Sequence, residues 1–290
     1  MSHSAVRRQA GFTLVELVIV MVLIGIIAGV LAMQLGPTIQ GYLMVERRAS
    51  LTSLADTALR KVATDVRGAV PNSLRLISPQ CMELVPTIDG GRYRTGPDTT
   101  NSANPGLFLD PFEAKTTFDV LTRFSNPVAP GDLIVIGNQN TEDLYGDPDI
   151  PTIRTVTQTA NATTGEYRIE LAQPKALPAG YDGGRFVVVP GASRSVTYVC
   201  TADPKNPTTN GNGNGVLYRV TSASLNAAPD CPAVGAASPI LATNVESCSF
   251  VYSPNQGATQ ESGFAQLQLR LTRGGESVSL TMGAHVDNVP

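Results

Sequence analysis

The stretch Gly11–Leu35, GFTLVELVIVMVLIGIIAGVLAMQL, decides how the rest of the chain is read. Its only charged residue is Glu16, and from Leu17 to Met33 no polar side chain occurs. As an α-helix, Phe12–Leu35 rises about 36 Å, enough to cross a hydrocarbon core of roughly 30 Å. A run this apolar also suits a plain membrane anchor or an uncleaved signal sequence. Glu16 argues for more. A charge inside such a run costs on the order of 3 kcal/mol, so it is kept where it has a partner or a task.

The flanks of the run carry a resemblance. Arg7 and Arg8, then Gly11-Phe12-Thr13-Leu14-Val15-Glu16, then the apolar helix, resemble the class III leader and mature N-terminus of type IV pilins. The resemblance implies that a prepilin peptidase cuts after Gly11 and N-methylates Phe12. It also implies that Glu16 pairs with the terminal amine of a neighbouring subunit during filament assembly. Its partners would then be other major and minor pilins, the peptidase, the inner-membrane assembly machinery and the membrane itself.

Three further segments resemble MshO-like minor pilins of mannose-sensitive haemagglutinin (MSHA) pili. They are Ile39-Gln40-Gly41-Tyr42 with Arg47-Arg48-Ala49, the run LRKVATDVRGAVPN at Leu59–Asn72, and the closing His285-Val286-Asp287-Asn288-Val289-Pro290. That likeness implies a subunit that primes or caps fibre assembly. Its possession of Glu16 implies a place beneath a tip subunit that lacks one. The same features overlap with PilW-like minor pilins and with J-type pseudopilins of type II secretion. A secretion pseudopilin and a pilus-tip adhesin therefore stay open as alternatives.

Beyond Leu35 come Gly36 and Pro37. Proline removes a backbone donor and crowds the preceding turn, so a kink or local melting is expected there, and related filaments have a partly unwound segment at a comparable place. Gly25 and Gly29, four apart, either permit close helix contact or simply loosen the helix. A helical pattern then resumes: Leu51, Leu54, Ala55, Ala58, Leu59, Val62 and Val66 form one apolar stripe. Gly68 and Pro71 mark its end. Continuous from Phe12 to Arg67, the rod would be about 84 Å long.

Past Pro71 the chain changes character, with 27 Gly and 21 Pro, no Trp and few charges over the whole sequence. Short β-like runs alternate with turn signals. Val196, Tyr198 and Cys200 alternate along one strand, and Val216, Tyr218 and Val220 answer them as a possible hairpin partner across a Gly/Asn-rich loop. Cys248, Phe250 and Tyr252 share one face of another strand. Leu267, Leu269 and Leu271 and then Val278, Leu280 and Met282 flank Gly274-Gly275, the clearest hairpin. The expected fold is α+β: a long N-terminal helix laid on an antiparallel sheet, with a loop-rich insertion in the middle. The expected divisions are a leader (residues 1–11), a transmembrane and assembly helix (12–36), an amphipathic helix continuing into the head (37–70) and a periplasmic β-rich domain (71–290). The positive flank at Arg7 and Arg8 places the leader in the cytoplasm and the remainder in the periplasm, and the pilin resemblance implies a later place on the cell surface in a pilus.

Cys81, Cys200, Cys231 and Cys248 all follow the apolar run and form no C-x-x-C pair. An even count in an exported chain reads as two disulfides. Of the three connectivities, Cys200–Cys231 with Cys81–Cys248 is the expected one. The net charge of −3 becomes more negative once Arg7 and Arg8 leave with the leader, which gives no electrostatic case for nucleic acid. His285 alone makes neither a triad nor a metal site, and no hydrolase, zinc-protease, P-loop or dinucleotide motif occurs. No catalysis and no cofactor are expected. Asp143, Asp147 and Asp149 near Glu142 and Asn140 have the oxygen density for calcium, but the spacing is not that of an EF-hand and an exposed turn accounts for it. Arg92 and Arg94 beside Tyr93 offer an anion or sugar patch, or simply a solvated strand edge.

Overall fold

The computed structural model describes residues 11–146, 150–159, 165–177, 181, 183–254 and 262–288. Two compact units divide at Ser50 and Leu51. The described part of the first is helical from Leu14 onward, and none of its residues is buried. The helix, α1 (Leu14–Arg67), is assigned without interruption across Gly36 and Pro37, so the local melting expected there is not observed. A proline inside a helix forfeits one backbone hydrogen bond, not the whole turn. Beside it, the Thr38 hydroxyl donates to the Gln34 carbonyl at 2.9 Å, back-bonding onto the preceding turn.

In the second unit α1 presents Leu51, Ala55, Ala58, Leu59, Val62, Ala63 and Val66 as its buried face. Leu54, read as part of the stripe, is only half-buried, and Ala63 joins it. The helix closes with Gly68 donating to the Thr64 carbonyl. Next come β1 (Arg75–Ser78) and β2 (Cys81–Leu84). A long excursion follows, with β3 (Asp89–Arg92), β4 (Lys115–Val120), β5 (Leu133–Val135), the short helix α2 (Thr141–Tyr145), β6 (Ile153–Gln158), β7 (Tyr167–Lys175) and β8 (Arg185–Val189). The chain then supplies β9 (Ser195–Cys200), a small hairpin of β10 (Thr208–Thr209) and β11 (Asn212–Gly213), β12 (Gly215–Ser222), β13 (Ile240–Ser253), β14 (Ser262–Arg273) and β15 (Glu276–Asp287).

The main sheet is antiparallel in the order β1-β2-β9-β12-β13-β14-β15. Its inner face is the alternating set read from sequence: Tyr198 and Cys200 on β9, Cys248 and Phe250 on β13, Leu267, Leu269 and Leu271 on β14. These pack with the buried stripe of α1 into one core. Arg273 and Glu276 pair across a two-residue turn in which Gly274 and Gly275 both have positive φ, the geometry that a tight hairpin requires. The expected α+β fold with its helix on an antiparallel sheet is thus what the chain forms.

The excursion is more than loops. It leaves from β2 and returns at β9, and those strands pair directly, Leu84 opposite Val196. Between them lie two three-stranded sheets, β3-β8-β5 and β4-β7-β6. The consecutive apolar residues of β5 and β8 explain the layering. Ile134, Phe186 and Val188 face a second core with Phe118, Val120 and Ile169. Leu133, Val135 and Val189 face a third, with Val70, Val85, Leu144 and Tyr145. A strand buried on both faces reads as an unbroken hydrophobic run, not an alternating one.

The disulfides correct the expected connectivity. Cys81 bonds Cys231 and Cys200 bonds Cys248, with Cα atoms 6.1 and 6.6 Å apart. The pairing is set by strand order and not by proximity in the chain. The loop carrying Cys231 folds back over the β1 edge, where Arg75 donates to the Asn226 and Ala227 carbonyls at 2.7 and 3.2 Å. This brings Cys231 to β2. Cys200 closes the end of β9 onto β13.

Candidate functional site: the N-terminal turn and the apolar half of the helix

Gly11, Phe12 and Thr13 precede the first helical residue, and Thr13 caps it. The Glu16 backbone N–H donates to Thr13 Oγ1 at 3.3 Å, and Leu17 N–H donates to the Thr13 carbonyl at 3.2 Å. The Glu16 amide belongs to the first turn, where no intrahelical acceptor exists, so the threonine hydroxyl oxygen satisfies it, while the Thr13 carbonyl accepts the first intrahelical bond. The sequence signal for this cap is Thr13-x-x-Glu16, the spacing of a capping box, which the pilin motif overlaps and masks. The same spacing puts the Glu16 carboxylate in the first turn, where the helix dipole favours an anion.

The predicted cleavage and methylation positions Gly11 and Phe12 therefore lie outside the helix, just ahead of its capped end. Phe12 is 79 % exposed and accessible for modification. Beyond Glu16, the large apolar side chains from Leu17 to Leu35 are all exposed. The most apolar stretch of α1 has no buried residue, and by length and composition the helix can cross a membrane. A Cβ added at Gly25, Gly29, Gly36 or Gly41 would meet nothing within 4 Å. None of those glycines is required by contacts inside the chain.

Other candidate groups are engaged structurally. Asp143 accepts from the Gln139 and Asn140 backbone amides at 3.2 and 3.0 Å, capping α2. Asp147 and Asp149, the rest of the calcium reading, lie outside the described residues, as do Arg7, Arg8 and Val289–Pro290. Among the described residues no group of three His, Cys, Asp or Glu side chains is placed to hold a metal. His285 packs edge-to-face on Phe264.

Tyr93 does not form a patch with its flanking arginines, because it is buried in the second core. One charged centre that the sequence did not reveal lies under the helix. Asp65 Oδ2 accepts from Tyr198 Oη at 2.5 Å and Arg219 Nε at 2.7 Å, while Oδ1 accepts from Lys61 Nζ at 2.9 Å. Burial pushes the Asp65 carboxyl up, but the hydrogen bonds from Lys61, Tyr198 and Arg219, with the Arg219 charge, outweigh it and hold it below the usual range. These contacts tie α1 to β9 and β12.

Residues 6–32 match the family described as the prokaryotic N-terminal methylation motif. The match supports a type IV pilin-like protein with a structural role, and with the apolar helix it fits a single-pass inner-membrane anchor that undergoes pilin-type processing. No curated protein and no solved structure matches the chain.

Proposed function

We propose that the chain is a minor type IV pilin of the MSHA type that helps to prime or cap pilus assembly. The observation that carries this reading is the methylation motif seated on a helix whose apolar surface finds no cover within the chain. In the membrane, lipid covers that surface. After cleavage between Gly11 and Phe12, with methylation of Phe12, neighbouring pilin helices replace the lipid. Covering about 1,500 Å² would be worth tens of kcal/mol in gross terms, before ordering costs.

Glu16 acts as the register mark in this mechanism. An unpaired carboxylate in the apolar core of a fibre is costly, and the freed amine of an adjacent subunit answers it. Residues 1–11 are the leader, 12–36 the membrane and assembly segment with its bend at Gly36-Pro37, 37–70 the link into the head, and 71–290 the periplasmic head that later stands at the cell surface. Mass spectrometry of sheared pili tests the reading. The chain should be found beginning at methylated Phe12 and far rarer than another pilin. A native protein that keeps residues 1–11 and never accompanies a fibre would overturn it. If the gene instead serves type II secretion, the processed chain will be absent from sheared pili and its deletion will block secretion.

A further inference from the structure

The excursion meets the main body at a cleft of about 440 Å³. Its mouth holds an arrangement that folding alone does not explain. Arg92 on β3 and Arg185 on β8 are direct register partners, so their side chains stand side by side on one face of the sheet. Both are exposed, both line the cleft, and neither has an ion-pair partner among the described residues. Like charges directly opposite on adjacent strands are destabilising. Two guanidiniums aimed into one hollow are, by contrast, a suitable fork for a carboxylate, which each can meet with two parallel N–H donors.

The rest of the cleft narrows the ligand. Gly90 shares the arginine face, and its missing side chain leaves the hollow open; a Cβ there would come within 2.8 Å of the Phe186 carbonyl. Val70, Val135 and Val187 provide an apolar floor. Asp287 also lines the cleft and adds an acceptor-only group. That carboxylate repels a dianion and suits hydroxyl donors. The volume is in the range of small-ligand sites. We propose that this cleft binds an acidic sugar, its carboxylate held by Arg92 and Arg185, its hydroxyls by Asp287 and its ring resting on the valines. The site lies wholly in the second unit and does not depend on the pilin reading.

Titration of the purified full-length chain in detergent with D-glucuronate tests the assignment, with D-glucose, inorganic phosphate and a tetra-glutamate peptide as comparators at matched ionic strength. Glucuronate should bind, glucose should not, and phosphate and the peptide should bind at least about tenfold more weakly. Arg185→Gln and, separately, Arg92→Gln should each weaken glucuronate binding about 10- to 100-fold, the scale for losing a hydrogen-bonded charge. Neither should lower the unliganded melting temperature, because each relieves repulsion. Failure of glucuronate to bind, equal binding by both variants, or phosphate or peptide binding as tightly would each overturn the proposal. Should one variant fail to fold, the other, on the neighbouring strand, carries the same test.

Discussion

One helix meets two different solvents. Between Leu17 and Leu35 its large side chains are all exposed, while from Leu51 to Val66 an apolar stripe is buried against the main sheet. The difference is written in the residue pattern. The second stretch confines its apolar residues to one face, which a single sheet can cover. The first is apolar all round, so no single neighbour suffices and cover must come from lipid or several other helices. If the apolar half assembles with other pilin helices as proposed, stability and assembly lie on separate lengths of the same rod, and substitutions should separate them.

The largest expected effect is on processing. Gly11→Asp should abolish cleavage, leaving only the longer precursor band on a gel. An unchanged processed band would contradict the assignment. Glu16→Leu should still insert into the membrane, yet its recovery in sheared fibres should fall roughly a hundredfold, the scale of stranding one partner of a buried charge pair. Normal recovery on blots would remove Glu16 from the mechanism. Leu59→Ala, in the buried stretch, should cost the head about 2–5 kcal/mol in chemical denaturation. Leu23→Ala, in the exposed stretch, should leave the head's denaturation midpoint unchanged. Similar losses from both would erase the contrast.

A smaller effect should follow acid. The Asp65 carboxyl lies below its ordinary value in the folded state. Its contribution is therefore fully present above the unfolded pKa of about 3.9 and is lost as pH falls through the lower folded value. Asp65→Asn should cost about 1–3 kcal/mol near neutrality and flatten the dependence of stability on pH below about 4. Calorimetry from pH 2 to 7 on both proteins would show it. A variant with the same acid slope as the parent would assign that slope elsewhere.

What could be read from sequence was what is local. The apolar run, the stripe from Leu51 to Val66 and the Gly274-Gly275 hairpin follow from periodicity and turn chemistry within a few residues. Thr13-x-x-Glu16 is equally local, a capping signal carried by the same acid that the pilin resemblance assigns to assembly. The disulfide pairing was not legible, because Cys231 reaches Cys81 through a loop folded over an edge strand. Arg92 and Arg185 are far apart in the chain, and only the β3–β8 register makes them neighbours. Tyr93, between two arginines, reads as surface but is buried, since burial at that point is decided by β4 and β8 packing over it.

The excursion departs from one strand and rejoins the adjacent one, Leu84 facing Val196. This has a mechanical consequence. Tension applied along the rod passes into the main sheet through the stripe and Asp65, and the excursion hangs beside that route instead of in series with it. Its loops can then lengthen without weakening the tether. Single-molecule stretching should give the same main rupture force when loop residues 101–106 are extended. A lower force would place the excursion in the line of load.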